Sequence, residues 1–412
     1  MTDPAPQNRP MALAGLKVLE LGQLIAGPFA SKLFGEFGAD VIKIEPPGTG
    51  DPLRRWRVMR GDTSLWWHVQ SRNKRSVSLD LKSAEGQDIV RRLAAEADIV
   101  VENFSPGRLE QWGLGWADLA AINDRLIMVR ISGYGQTGPY RDLPGFGVIG
   151  EAVGGLRYLS GHPGESSVRV GVSIGDSLSA LYGVIGALLA LAERRQSGRG
   201  QYIDVALYES VFGMMESLIP EYDGAGIIRE PGGSALPGIT PSNAYRCADG
   251  TEVLIAGNGD SIFKRLMTAI GRDDLGAEPA LAHNDGRTRH AARIDAAIEA
   301  WTRQNDRARV LEVLEAARVP CGRPYTARDI VEDAHYAARH MIETITTADG
   351  ESLRVPAVLP RLSRTPGRVG GGGPALGEHT RAVLDELGID RATQQRLHAA
   401  GVLHDPDTGD RA

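Results

Sequence analysis

The chain has 412 residues, 42% hydrophobic and 24% charged, with a formal net charge of −6; at roughly 100–200 residues per domain, that length carries two or three domains. The acidic balance leaves no cationic excess to neutralise phosphates, so nucleic acid is excluded as a partner class. Two distant cysteines, Cys247 and Cys321, exclude a disulfide framework and fit a reducing, cytoplasmic setting.

The N-terminus is a Pro-rich leader without the basic-then-apolar layout of a signal peptide. After it, Leu16–Leu21 reads as a strand, Gly22–Pro28 as a turn, Phe29–Phe37 as a helix and Asp40–Glu45 as a second strand. Strand, glycine turn, helix, strand is a βαβ unit, which calls for a parallel sheet covered by helices. The early turn is not GxGxxG, so a usual dinucleotide site lacks its fingerprint. The pattern recurs with a strand at 76–81, a helix at 84–97 and strands at 98–104 and 126–132. A long apolar helix spans 177–195, then a strand at 201–205 and a helix over 206–221. The longest apolar stretch, around 178–191, is broken by Ser, Tyr and Gly. No run reaches the ~18 apolar residues that span a bilayer, and no membrane is expected.

The segment 223–241 is rich in Gly and Pro and marks a domain boundary. The reading is a large domain begun by 1–222, a small domain over 223–325 and a return segment, 326–412, that completes the large one. The small region carries a strand at 252–256 and helices around 262–270 and 289–304. A Gly-rich loop at 364–374 and a helix at 378–387 follow.

Cations concentrate early, at Lys43, Arg54, Arg55, Arg57, Arg60, Arg72, Lys74, Arg75 and Lys82, interleaved with Trp56, Trp66 and Trp67. In an acidic protein this density points to a phosphate-bearing ligand with a flat base, or else to a solvated face over ordinary core. Asp176, in GVSIGDSLSALYG, stands just before the long apolar helix. There a carboxylate feels the helix dipole and stays ionised for attack on a thioester carbonyl. The same position is also that of an N-cap, and spacing alone favours the cap. Other nucleophiles lack support: no GxSxG elbow is present. The nine histidines form no HExxH pattern, so no metal is expected.

Nine ordered blocks resemble the class III CoA-transferases: GLKVLELGQLIAGP, GADVIKIEPPGTGDPLR, NKRSVSLDLK, ADIVVENFSPG, GYGQTGPYRDLPG, GVSIGDSLSALYG, GRGQYIDVALYE, VPCGRPY and ALGEHT. The resemblance implies an α/β fold, a Rossmann-like large domain with a smaller α/β domain, in an interlocked homodimer. It implies that Asp176 is the catalytic aspartate, and that coenzyme A is a co-substrate with no further cofactor. Contacts to CoA carry over to Ile25, Ala26, Leu79, Lys82, Asn103, Phe104 and Ser105, with Arg54 as a phosphate partner.

The chain departs from the family at several positions. The formyl-transferring members carry glutamine where this chain has Ile25, which points away from formyl and oxalate chemistry. A CoA-contacting arginine becomes Gln111, with Arg108 as its substitute. The PGYD motif reads Pro144-Gly145-Phe146-Gly147, so an acidic residue near the nucleophile is missing. The family's lid loop maps to Gly232–Gly238, with Gly232 and Gly233 as substrate residues.

The α-methylacyl-CoA racemase branch needs a histidine base where Phe146 stands, which sets an epimerase behind a transferase. A non-catalytic CoA-binding protein is the other alternative. The closest branch uses succinyl-CoA and short dicarboxylic acids such as citramalate, itaconate, mesaconate or hydroxymethylglutarate. A distal carboxylate then needs a cation, with Arg55, Arg72, Arg169 and Arg246 as candidates.

Overall fold

The computed structural model describes residues 10–347 and 349–406, so residues 1–9 of the Pro-rich leader lie outside it. The chain divides into two compact units. The larger runs to Leu156, resumes over Val170–Glu216 and resumes again from Ala334; the smaller is Arg157–Arg169 with Ser217–Asp333.

The larger unit is built on a seven-stranded sheet. Strand β1 (Lys17–Glu20) leads through helix α1 (Ala26–Glu36) to β2 (Asp40–Glu45) and on to β3 (Arg75–Leu79). Helix α2 (Ala84–Glu96) leads to β4 (Ile99–Glu102), and β5 (Ile127–Ser132) follows. Next come a short helix, α3 (Gly147–Val153), the long helix α4 (Ile174–Ser197), strand β6 (Tyr202–Ala206) and helix α5 (Leu207–Phe212). Strand β7 (Leu403–His404) closes the edge. The order is β7-β3-β2-β1-β4-β5-β6; all neighbours are parallel except β7, which runs antiparallel to β3. The succession 3-2-1-4-5-6 is doubly wound, with its switch point between β1 and β4. Folds of this order bind ligands outside the strands' carboxyl ends at that point.

The sheet's side-chain alternation divides its core into two layers. Leu19, Ile44, Val100 and Met128 pack with Ile89, Val90 and Leu93 of α2. Their neighbours Val18, Ile99, Val101 and Val129 pack with Ala30 and Phe34 of α1 and with Ala180 and Ala187 of α4. Helices on both faces are what a parallel sheet needs, since its strands are apolar on both sides. Each fully buried large aliphatic or aromatic side chain contributes about 1.5–3 kcal/mol.

Element ends differ from the sequence reading where local signals mislead. Helix α1 begins at Ala26, because Pro28 sits in a first turn that needs no N–H partner. Helix α4 begins at Ile174 and ends at Gly198, whose φ of 77° stops it. By length and composition it is the one helix among the described residues that could cross a bilayer. The sequence reading found no such run because it broke the stretch at Ser, Tyr and Gly. The expected helix over 206–221 is two, α5 and Leu218–Ala225, interrupted around Gly213. Strand β7 and a helix at Arg391–Ala399 were not anticipated.

The smaller unit has a three-stranded antiparallel sheet, with Glu252–Ala256 between Ser242–Arg246 and Cys321–Gly322. Phe263, Leu266, Ile294, Ile298, Val310 and Leu314 from its helices build its core.

Candidate active site

The carboxyl ends of β1 and β4 flank the switch point, where folds of this order form their ligand crevice, and side-chain bonds shape the turn that follows β1. Asn103 accepts from the Gln23 N–H and donates to the Gln23 carbonyl, both at 2.8 Å, so it clamps that residue's peptide groups. Leu24 has a φ of 65°, uncommon for a bulky residue, and its N–H donates to Asp51 Oδ1 at 3.0 Å. Burial works against the Asp51 charge, yet Lys43 and the N–H groups of Leu53 and Leu24 outweigh it and hold this carboxyl below its ordinary value. Lys43 in turn meets Glu20 at 2.7 Å and Asp51 at 2.8 Å, and Lys74 meets Glu20 at 2.8 Å. Burial brings Lys74 down to about 8. A buried ionic network thus underlies the turn.

Several residues expected at a CoA site stand along this same edge. Phe104 is partly open and edge-on to Trp112 at 5.4 Å, and Ser105 and Lys82 are exposed. The Phe104 N–H donates to Glu102, whose carboxyl burial pushes up to about 7 against the pull of Arg130. Arg108 is exposed and reaches Gln111 Oε1 at 3.4 Å. Ile25, Ala26 and Leu79 are different. They are buried, at 7%, 2% and 1% exposed. The partly open residues of the first turn are Gln23 and Leu24, which the sequence reading passed over.

Of the nine early cations, Lys43, Arg54, Arg72 and Lys74 are buried, Arg60 and Arg75 are half-buried, and Arg55, Arg57 and Lys82 are exposed. Arg54 is 8% exposed, makes two 2.8 Å bonds to Glu45 and stacks on Trp67 at 3.8 Å. Its guanidinium is engaged by Glu45 and Trp67 in this structure. Arg72 is 1% exposed and is bonded to Glu36 at 2.6 Å and to the Pro356 carbonyl at 2.7 Å. Lys43 and Lys74 are buried as above. Sequence could not foresee this because each cation's partner lies on another element. Arg55 is exposed.

Arg169 and Arg246 are exposed and belong to the smaller unit, as do Gly232 and Gly233. Gly233 has a φ of 65° and donates to the Gly161 carbonyl at 2.9 Å within that unit.

Asp176 is the third residue of α4, behind the N-cap Ser173, so it lies inside the first turn and is not the cap itself. It is partly exposed. The first-turn dipole still favours its charge. Opposite stands the start of α3. Gly133, just beyond β5, and Gly145, just before α3, come so close that a Cβ on residue 133 would lie 2.8 Å from Gly145 Cα. That crossing ties α3 to the carboxyl end of β5, the edge shared with the crevice. A Cβ on residue 147 would lie 2.0 Å from Asp176 Oδ2. One turn further along α3, Glu151 is 2% exposed, and its Cγ lies 3.3 Å from where a Cβ of Gly175 would stand. An acidic side chain therefore does approach the segment that carries Asp176, one turn later than the family motif has it. The spacing Gly147, Gly150, Glu151 on one helix face was the signal that could have revealed it. Phe146 is 65% exposed, and no histidine takes its place.

A carboxylate held in a first helical turn at the carboxyl edge of a doubly wound sheet, beside a crevice, is suited to covalent acyl chemistry. No group of three or more His, Cys, Asp or Glu able to hold a metal occurs among the described residues.

The sequence model described as "CoA-transferase family III" matches residues 13–380. The chain is 47% identical over 399 residues to a succinyl-CoA–D-citramalate CoA-transferase of Chloroflexus aurantiacus, covering 96% of this chain and 99% of that one. It is 45% identical over 382 residues to the beta subunit of a succinyl-CoA–L-malate CoA-transferase of the same organism, covering 92% and 94%. Among solved structures, a CAIB/BAIF family protein from Brucella suis superposes with a TM-score of 0.81 at 34% identity, covering 92% of this chain and all of that one.

Proposed function

Because the chain belongs to CoA-transferase family III, we propose that it moves CoA from succinyl-CoA to a short dicarboxylic acid, with Asp176 as the nucleophile. The observation that carries this is the Asp176 carboxylate, held in the first turn of α4 against the side-chain-free Gly147. The names of the two Chloroflexus relatives support the substrate class, with citramalate and malate as the leading acceptors. Mesaconate, itaconate and hydroxymethylglutarate share the same chemistry of a distal carboxylate.

The reaction balances without a proton, a metal or a redox partner. An Asp176 carboxylate oxygen attacks the donor thioester carbonyl, the C–S bond breaks, and CoA thiolate leaves a mixed anhydride. The thiolate attacks the aspartyl carbonyl, which releases the donor acid as carboxylate and leaves an aspartyl-CoA thioester. The acceptor carboxylate attacks that carbonyl and again expels the thiolate. The thiolate then attacks the acceptor acyl carbonyl of this second mixed anhydride, the bond to the Asp176 oxygen breaks, and Asp176 leaves as its carboxylate. Main-chain N–H groups of the helix starts are suited to the oxyanions that form. The CoA moiety would run along the edge formed by Gln23, Leu24, Lys82, Asn103, Phe104, Ser105 and Arg108. For the distal carboxylate, the exposed Arg55, Arg169 and Arg246 remain the candidate cations, with Gly232 and Gly233 in the lid.

Helix α4 exposes Leu181, Ile185, Leu188 and Leu189 in succession. Apolar surface of this kind marks an interface, and a second copy of the chain in an interlocked homodimer is the partner proposed for it. A cytoplasmic setting suits two free cysteines.

The test is to incubate the pure protein with succinyl-CoA and a panel of carboxylic acids and to look for new acyl-CoA masses. A new ester made from citramalate or malate supports the proposal. Silence with every donor and acceptor, while CoA still binds, would move the assignment to a binding protein. Loss of α-proton stereochemistry in a 2-methylacyl-CoA would move it to an epimerase.

A further inference from the structure

We propose that Gly147 is the positioning residue of the nucleophile: the missing side chain lets the Asp176 carboxylate rest on the first turn of α3 in the attitude attack requires. The inference builds on Asp176 being the nucleophile.

A Cβ on residue 147 would meet Asp176 Oδ2 at 2.0 Å, Cγ at 2.9 Å and Oδ1 at 3.4 Å. These are its three nearest neighbours, so the space a side chain would need is filled by that one carboxylate. Backbone conformation does not demand glycine here, because Gly147 is outside the left-handed region. The main chain that carries Asp176 has little freedom to retreat. Its neighbour Gly175 already packs onto α3, with a Cβ there lying 3.1 Å from the Gly147 carbonyl oxygen and 3.3 Å from Glu151 Cγ. A side chain at 147 is therefore accommodated by turning the Asp176 side chain away.

Gly150, on the same helix, supplies the contrast. A Cβ there would meet Leu207 Cβ at 2.7 Å and the backbone of Leu207 and Tyr208 at 3.1 and 3.2 Å. Backbone yields poorly, so a methyl at 150 is felt by the fold. A methyl at 147 displaces the end of a flexible side chain, which costs the fold little, but that end is the attacking group. Moving Oδ2 from 2.0 Å to ordinary contact is a shift of about 1 Å or more, and misplacement on that scale costs about 10²-fold in rate.

The experiment compares Gly147→Ala, Gly150→Ala and Asp176→Ala by Tm, by kcat and KM for succinyl-CoA, and by the mass of the covalent CoA adduct. Gly147→Ala is expected to keep its Tm within about 3 °C and its KM within about threefold, to lose about 10²-fold in kcat, and to form the adduct more slowly. Gly150→Ala is expected to show its loss in Tm. A Gly147→Ala enzyme with normal kcat, beside an inactive Asp176→Ala, would overturn the inference and leave the nucleophile standing. Transfer by Asp176→Ala would overturn the nucleophile itself. If Gly147→Ala unfolds, the double variant Gly147→Ala/Asp176→Ala decides. Removing the carboxylate should restore stability to that of Asp176→Ala, and failure to do so sinks the idea.

Discussion

Two stretches of the chain look opposite in sequence and exchange roles in the fold. Residues 43–82 are dense in cations and tryptophans, while 145–176 is poor in cations and rich in glycine. Yet Lys43, Arg54, Arg72 and Lys74 are buried and ion-paired with Glu20, Asp51, Glu45 and Glu36. The glycine-rich stretch holds Asp176, the carboxylate proposed as the nucleophile, against Gly147. Charge density in a sequence is therefore weak evidence for a ligand site, because a buried cation takes an internal partner. Missing side chains are informative when a reactive group occupies the space they leave.

The sharpest way to break that comparison is to remove one charge from each stretch. Asp176→Ala should lose on the order of 10³-fold or more in kcat and still bind CoA and fold. Arg72→Ala should leave Glu36 buried without its main partner and cost about 3–5 kcal/mol of stability. The folded fraction of that variant should retain its KM and kcat. Denaturant unfolding beside steady-state kinetics reads both, and a raised KM in Arg72→Ala would return that residue to the binding site.

Asn103→Ala tests the border between the stretches. It removes both bonds to the Gln23 peptide groups, each contributing about 0.5–1.5 kcal/mol. KM for the CoA ester should rise about tenfold, with kcat little changed. An unchanged KM would mean that the clamp does not shape the CoA crevice.

The smallest expected effect is on pH dependence. Burial, opposed by Arg130 and the Phe104 N–H, raises the Glu102 carboxyl from 4.5 to about 7. Between these values the folded protein holds more protons than the unfolded chain, so stability should fall as pH rises from about 4.5 to 7. In Glu102→Gln that falling limb should flatten. If the slope persists across this window in the variant, another group is responsible.

Much of the fold was legible in the sequence. The βαβ punctuation from Lys17 to Glu45 and the apolar run in 99–101 are local patterns that a parallel sheet with helices on both faces requires. Short elements such as β7 were not legible, because two residues carry no periodicity. Ser105 and Lys82 are exposed and Phe104 is half-buried just beyond the carboxyl ends of β4 and β3, and Arg108 stands beside Gln111. Ile25, Ala26, Leu79, Arg54 and Arg72 proved buried, because burial depends on neighbours that arrive from elsewhere in the chain.

By itself, then, the sequence determined the α/β class, the family and the aspartate at the start of the long helix, since each is written in contiguous residues. Tertiary structure alone decided that Arg54 closes on Glu45 and Arg72 on Glu36. It alone brought Gly147 against Asp176 and Glu151 against Gly175. The physical reason is that partner choice and packing are set where separate elements meet in space, and no local pattern of residues encodes that meeting.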